Sequence, residues 1–201
     1  IMNLIELLNG HLDENLIGNL TQKIGAESES QTATAASGVI STLIAQLSKN
    51  ASTPEGEHAL TAALDRDHDG SILNDVSGFL LGNKQPANPN TLNGAGILSH
   101  IFGNKQSNVT DMLGKATGLD KSQIFNLMIS LAPMVLGALS KARSQQGSNS
   151  GSVGDILSGT VKSPANQTQE MDLLHRFLDK DGDGSVIDDI ANFGMKFFQR
   201  K

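Results

Sequence analysis

An acidic pattern of eleven residues occurs twice in this chain and restricts its fold more than any other feature. Residues 65–75 read DRDHDGSILND, and residues 179–189 read DKDGDGSVIDD. Each copy has Asp at positions 1, 3, 5 and 11, Gly at position 6 and Ser at position 7. Carboxylates crowded around a tight Gly turn repel one another unless a cation lies among them. The repeated pattern therefore predicts two oxygen-ligated calcium sites, each in a turn between two helices.

The ligands of each site follow from the positions of the oxygen atoms. Positions 1, 3, 5 and 11 offer carboxylates, and position 7 offers a backbone carbonyl. The predicted ligands of loop one (residues 65–75) are Asp65, Asp67, Asp69, Ser71 and Asp75. The predicted ligands of loop two (residues 179–189) are Asp179, Asp181, Asp183, Ser185 and Asp189, with Asp188 as an alternative closing ligand. We expect two Ca²⁺ ions as the cofactors of this protein.

Both loops resemble those of EF-hand and dockerin modules, with one departure. The closing acid is Asp at position 11, whereas an EF-hand has Glu at position 12. The shorter segment and side chain argue against the helix-opening response of calcium sensors, so we expect a structural metal. At the intervening positions of loop one, Arg66 and His68 should face solvent. At position 8, Ile72 and Val186 should point inward and pair across a short two-stranded link.

Apolar residues recur at helical spacing along most of the chain. The pattern predicts helices over residues 13–24, 28–49 and 121–143. Thr53 before Pro54 predicts a capped helix that runs through Leu64. Asp120 can cap the helix over 121–143, in which Pro133 should introduce a kink or a break. Because no convincing strand is found outside the loops, the fold class is predicted to be all-α.

The chain also shows signs of an internal duplication. Residues 17–49 align without a gap with residues 109–141, and the acidic loops then align with 22 further residues inserted. We predict two tandem helical repeats, each ending in a helix, an acidic loop and a helix. Repeat one covers residues 2–82, and repeat two covers residues 92–201 after a Pro/Asn/Gly linker. Repeat two carries a Ser/Gly-rich insertion at 144–169, which we expect to be mobile.

Composition excludes several classes of function. The net charge is −6, so no nucleic-acid partner is expected, and the absence of Cys rules out thiolate sites and disulfides. No apolar run approaches the roughly 20 residues of a membrane span. No nucleotide-binding or nucleophile motif is present, and five scattered histidines form no ligand pair. We therefore expect that this protein is not an enzyme. The missing leader favours the cytoplasm, or the periplasm or exterior if a leader was removed.

Two other functions stay open from the residues alone. The chain could be a helical protein-interaction or DNA-binding module in which the acidic turns are incidental, but the helix over 121–143 has few basic residues. It could also be a hydrolase that uses an acidic loop as its metal site, although no base or nucleophile accompanies the loop. Phenylalanine and lysine residues near the C-terminus form either a core-facing stripe or a docking surface for an unidentified protein partner.

Several segments resemble a known family. They are PEG at 54–56, GAGILSHIFG at 94–103 and LAPMVLGAL at 131–139. Together with the opening stretch, they are similar to the YidB-like bacterial proteins of unknown function, over roughly residues 2–145. The resemblance implies an all-α fold. It implies no activity, because that family brings no catalytic residues to carry over.

Overall fold

The computed structural model describes residues 4–85, 88–146 and 152–162, and all regular secondary structure in these ranges is helical. The α-helices are α1 Leu4–Asn9, α2 Glu14–Ile24, α3 Glu29–Asn50, α4 Pro54–Asp67, α5 Val76–Leu80, α6 Gly94–Phe102, α7 Gln106–Thr117, α8 Lys121–Gln146 and α9 Val153–Lys162. Short 3-10 turns cover Ser71–Asn74, Pro89–Leu92 and Gly103–Lys105. The predicted all-α class is confirmed.

The two longest helices, α3 and α8, lie against each other at the centre of the fold. Their contact faces are fully buried at residues such as Leu43 and Val39 on α3 and Leu131 and Val135 on α8. The remaining helices surround this pair, and apolar side chains from α1 to α9 form one continuous core. The described parts of both predicted repeats contribute to that core, so they do not form separate cores.

Local sequence signals determine where several helices begin. The side chains of Asp13, Ser28 and Thr53 accept hydrogen bonds from backbone N–H groups three residues later, at 2.8, 3.2 and 3.1 Å. These residues are N-caps, which replace the hydrogen bonds that the first turn of a helix lacks. At α8 the N–H of Asp120 donates to the side chain of Gln123 at 2.9 Å, the reverse half of a capping box.

Glycines in two of the family-like segments lie where backbones approach closely. A Cβ atom on Gly56 would stand 1.8 Å from the carbonyl oxygen of Asn50, and one on Gly94 would stand 2.1 Å from that of Ile129. The carbonyl of Ile129 is the one that Pro133 leaves without its intrahelical donor. Of the kink or break expected at Pro133, the break does not occur, since α8 is continuous from Lys121 to Gln146, and the kink stays a prediction. The two segments that contain Gly56 and Gly94 therefore allow these backbones to pack closely together.

Part of the Ser/Gly-rich insertion is an ordered helix. Its apolar island forms α9, in which Val153, Ile156 and Leu157 are buried against α3 and α8. The expectation of a mobile insertion is wrong for residues 153–162, because three apolar side chains at helical spacing fill a position in the core. Helix α9 is thus part of the same compact unit as α1 to α8.

The α2–α3 and α7–α8 hairpins correspond closely. Helices α2 and α7 begin 92 residues apart, as do α3 and α8. The Nε2 atom of Gln31 donates to the carbonyl of Thr117, and the Nε2 atom of Gln123 donates to the carbonyl of Gly25, each at 2.8 Å. Both donors and both acceptors are also 92 residues apart. The two hydrogen bonds are therefore equivalent and reciprocal across the hairpin interface.

Among the described residues, one segment, Lys121–Gln145 of α8, is long and apolar enough to cross a membrane by length and composition. However, 72% of its most apolar window is buried inside the fold. The central helix of a packed helical core has the same properties, because it is surrounded by apolar neighbours on most sides. The absence of a membrane span stays a prediction.

Candidate metal centre

Loop one connects α4 to α5 and has the helix–turn–helix order that the sequence predicts. Asp65 and Asp67 occupy the last turn of α4, and Gly70 makes the turn with φ of 85°, a left-handed conformation that favours glycine. A 3-10 turn begins at Ser71, and Asp75 is the N-cap of α5. The exiting helix is only five residues long. The predicted ligands thus lie in one short segment.

Loop one is fixed to the central helix α8 through its turn. Ile72 is 1% exposed, and its Cγ2 atom would be 2.5 Å from a Cβ atom on Gly137. Gly70 also packs on the backbone of α8, with a Cβ position 3.2 Å from the carbonyl oxygen of Gly137. The inward position of Ile72 agrees with the prediction. The two-stranded link does not form at loop one, since residues 71–74 are a 3-10 turn.

Asp67 is the most connected carboxylate of the loop. Its Oδ2 atom is 2.7 Å from the guanidinium of Arg66, and its Oδ1 atom accepts hydrogen bonds from Asn88 at 2.9 Å and Asn90 at 3.5 Å. Thr91 donates to the backbone carbonyl of Asp67 at 2.6 Å. The hydrogen bond from Arg66 is the main cause that lowers the pKa of Asp67 to about 2. The carboxylate is therefore ionised and held in one orientation.

Residues 88–91 contact loop one, although the sequence predicts only a linker there. Asn88 caps the 3-10 turn Pro89–Leu92 and also donates to the carbonyl of Arg66 at 3.0 Å. The segment is therefore joined to the end of α4. An Asn before Pro is a turn signal, but nothing in the sequence indicates that the partners of Asn88, Arg66 and Asp67, lie 22 and 21 residues earlier.

The other three carboxylates of loop one each have a separate partner. Asp65 is paired with Arg143 near the end of α8. Hydrogen bonds from the hydroxyl and the backbone N–H of Ser71 lower the pKa of Asp69. The hydrogen bond from Lys84, with a 2.5 Å N–O distance, is the main cause that lowers the pKa of Asp75.

These pairings direct the carboxylates away from a common centre. In the part of the chain that the structure describes, no three Asp, Glu or His side chains are grouped closely enough to hold a metal ion. Loop one thus brings Asp65, Asp67, Asp69, Ser71 and Asp75 into one segment but not into a coordination sphere. Calcium binding at loop one stays a prediction.

The two residues between the loop-one carboxylates have different environments. Arg66 is 75% exposed, as expected. His68 is 4% exposed and its Nδ1 atom has no hydrogen-bond partner, so the expectation that it faces solvent is wrong. Burial lowers the pKa of His68 below 6.5, against the opposing effect of the neighbouring Asp67 and Asp69. His68 is the C-cap residue of α4, and its burial was not evident from the sequence.

A shallow groove of about 780 Å³ lies at the beginning of α7 and α8. Its cation, Lys121, is 2.9 Å from the carboxylate of Asp111 and donates to the hydroxyl of Ser107. An anionic ligand would have to compete with this ion pair. The groove therefore supports no ligand assignment.

Loop two lies outside the described residues, together with its predicted ligands Asp179, Asp181, Asp183, Ser185, Asp188 and Asp189. The phenylalanine and lysine residues near the C-terminus also lie outside them. The predictions for both segments therefore rest on sequence.

Comparison with known proteins gives one match. The family model of DUF937, described as a bacterial protein of unknown function, matches residues 6–142. No curated protein and no solved structure matches the chain significantly. The matched range includes loop one and ends before loop two.

Proposed function

We propose that this chain, which belongs to the DUF937 family of bacterial proteins, is a non-enzymatic protein that binds calcium through its acidic loops. The metal is structural, and it stabilises the turn between two helices. The narrower assignment to the YidB-like proteins is part of this proposal. The family description contains no function, so the proposal depends on the residues of this chain.

The observation that carries the proposal is the pair of loops with one frame. Nine of the 21 acidic residues lie in these two segments of eleven residues. At loop one the structure supports a structural role, because the turn joins α4, α5 and α8 through Gly70 and Ile72. A divalent cation bound at such a junction would restrain three helices together.

We also infer that the chain arose by duplication of a helical unit. The first residues of the paired helices, which are 92 residues apart in both pairs, support this inference, as do the reciprocal hydrogen bonds of Gln31 and Gln123. Periodicity alone would reproduce apolar positions, but it would not place equivalent amides on equivalent carbonyls. Because each copy of a duplicated unit should keep the same function, we expect one calcium-binding loop in each repeat.

The test is thermal unfolding of the full chain, followed by circular dichroism in excess calcium and in chelator. At free calcium 100 times the dissociation constant, one site stabilises the fold by about 2.7 kcal/mol. For a domain of this size, this raises the midpoint by about 5–11 °C. Asp181→Asn should reduce that rise, and Glu27→Gln, which removes an exposed charge outside the loops, should leave it unchanged. Identical curves in calcium and chelator for the wild type would refute calcium binding.

Asp67→Asn is unsuitable for this purpose. Asp67 accepts hydrogen bonds from Asn88 and Asn90 and pairs with Arg66, so its replacement destabilises the protein in chelator as well. A variant in loop two avoids these described contacts. Isothermal titration with calcium then counts the sites independently of stability.

A further inference from the structure

We propose that four helices of the fold form a groove for an amphipathic helix, and that α9 occupies this groove as an autoinhibitory segment. The walls of the groove are α1, α3, α4 and α8, all of which contact α9. We call this surface the α9 groove. Its competing occupant is an amphipathic helix of a partner protein, which binds where α9 lies and displaces it. The inference does not depend on calcium.

Helix α9 contacts the groove with one face. The buried side chains of this face are Val153, Ile156, Leu157 and Thr160. They occupy positions i, i+3, i+4 and i+7, which is the spacing by which an amphipathic helix binds in an apolar groove. Asp155 and Gly159 are exposed on the opposite face. The contact therefore has the form of a helix bound to a receptor surface.

The beginning of α9 is defined by its own sequence. The N–H of Asp155 donates to Oγ of Ser152 at 3.2 Å, and the N–H of Ser152 donates to Oδ2 of Asp155 at 2.9 Å. This reciprocal pair is a capping box, in which two residues of the same segment satisfy the free N–H groups of a first helical turn. Helix α9 therefore needs no cap from its receptor and can leave or enter the groove as a unit.

Several features make α9 a weak ligand of the groove. The N–H of Gly154 donates to Oε1 of Glu57 on α4 at 3.4 Å, which is long for a hydrogen bond. Gly154 and Gly159 both lie within this helix of ten residues, and glycine is a poor helix former. A longer helix with the same anchor spacing and no glycine would bind the same walls more tightly. Such a helix can displace α9.

A second copy of this chain has no such advantage as the occupant. Residues 147–152 connect α9 to α8, and a short tether holds a ligand at an effective concentration of about millimolar. Another copy of α9 has the same intrinsic affinity, so it would compete only when the protein itself reaches that concentration. The structure therefore favours a different protein as the partner.

The groove and its occupant belong to different parts of the chain. Helices α3 and α4 lie wholly within residues 6–142, the range that the family model matches, and α1 and α8 lie mostly within it. Helix α9 lies beyond this range, in the Ser/Gly-rich insertion. The walls of the groove are thus part of the family domain, whereas the segment that covers them is not. This division is expected of a regulatory segment added to a binding domain.

The first test is native-state hydrogen exchange on the full chain. In the wild type, the amides of α9 should exchange faster than the buried amides of α3 and α8, because α9 can open alone. Leu157 is 0% exposed, so Leu157→Ala should accelerate exchange in α9 by at least about 30-fold. Exchange in α3 and α8 should accelerate by a smaller factor. Equal acceleration in all three helices would show that α9 opens only with the whole fold, and would overturn the proposal.

The second test measures binding to the open groove. The probe is a fluorescein-labelled peptide of residues 152–162, and the receptor is the full chain with Leu157→Asp, which expels α9. Fluorescence anisotropy should show that the peptide binds this variant at least about tenfold more tightly than the wild type, whose own α9 competes. The matched control is Gly159→Asp, which adds the same charge on the exposed face, where a new Cβ atom meets nothing within 4 Å. It should behave like the wild type.

Three results would overturn the proposal. The first is a Leu157→Asp chain that keeps its helicity at 222 nm but binds the peptide no better than Gly159→Asp. The second is a Leu157→Asp chain that loses more helical signal than the ten residues of α9 account for, because the groove must persist without its occupant. The third is a wild-type dimer in light scattering at micromolar concentration that Leu157→Asp abolishes, which would assign the groove to a second copy.

Discussion

Replacement of Gly94 by Ala should destabilise the fold, although alanine is the better helix former. Gly94 has no positive φ, so its backbone conformation suits alanine. The new methyl group would nevertheless be 2.1 Å from the carbonyl oxygen of Ile129, where an ordinary carbon–oxygen contact is about 3.3 Å. The contact involves backbone atoms of the central helix, which cannot rotate away. Helix α6 must therefore move from α8 by about 1 Å.

The magnitude follows from the contacts that such a shift weakens. Ile97, Leu98, Ile101 and Phe102 of α6 are buried in the core. A gap of 0.5–1 Å removes roughly a quarter to a half of the dispersion energy of a contact, and overpacking typically costs about 1–3 kcal/mol. A loss of about 2 kcal/mol in the free energy of unfolding should lower the unfolding midpoint by about 4–8 °C. Urea unfolding followed by circular dichroism measures the free energy, since the chain has no Trp or Tyr.

Gly38→Ala is the matched control for this prediction. Gly38 lies within α3, and the nearest atom to its new Cβ would be Cδ2 of Leu113 at 3.5 Å, an ordinary contact. The substitution should be neutral or stabilise the protein by up to about 1 kcal/mol. If Gly94→Ala is as stable as Gly38→Ala, then the close approach of α6 to Ile129 does not limit this position, and the reasoning is refuted.

Two further predictions concern the hairpin interface and the titration of a histidine. Gln31→Ala and Gln123→Ala each remove one of the reciprocal hydrogen bonds, so urea unfolding should give similar losses of about 0.5–1.5 kcal/mol; a loss at one site alone would contradict their equivalence. The pKa of His11 is lowered from 6.5, mainly by burial, then by Lys141, against an opposing effect of Asp13. The unfolded chain therefore binds this proton at higher pH, and the free energy of unfolding should fall as pH drops through 6.5 and level off below the folded pKa. An NMR titration should show that Lys141→Gln raises the pKa but leaves it below 6.5; a wild-type value at or above 6.5 would rule this out.

Several helices of this protein can be predicted from its sequence because the signals that define them are local. The expected helix over 28–49 is observed as α3, Glu29–Asn50, and the cap at Thr53 with Pro54 is observed at the beginning of α4. Apolar spacing and caps act within a few residues, so residues close together in the sequence determine where such a helix begins and ends. Val153, Ile156 and Leu157 have the same spacing, but the surrounding Ser and Gly residues led to the prediction of a mobile insertion, and α9 was not predicted.

The candidate site shows the limit of such reading. Its acidic residues are local and visible, but some of their partners come from distant positions: Arg143 on α8 pairs with Asp65, and Asn88 beyond α5 donates a hydrogen bond to Asp67. A pattern of carboxylates does not reveal whether a metal ion or an arginine will balance their charge. That choice depends on which side chains the fold brings within hydrogen-bond distance.

The sequence by itself determined the all-α class, the approximate bounds of α2, α3, α4 and α8, and the repeated acidic frame. Only the tertiary structure decided that Pro133 lies in an unbroken helix beside Gly94, that His68 is buried, and that Asp65 and Asp75 pair with Arg143 and Lys84. The physical reason is distance along the chain. Helix propensity and capping involve adjacent residues, whereas charge pairing, burial and backbone contacts between helices arise between residues that only folding brings together.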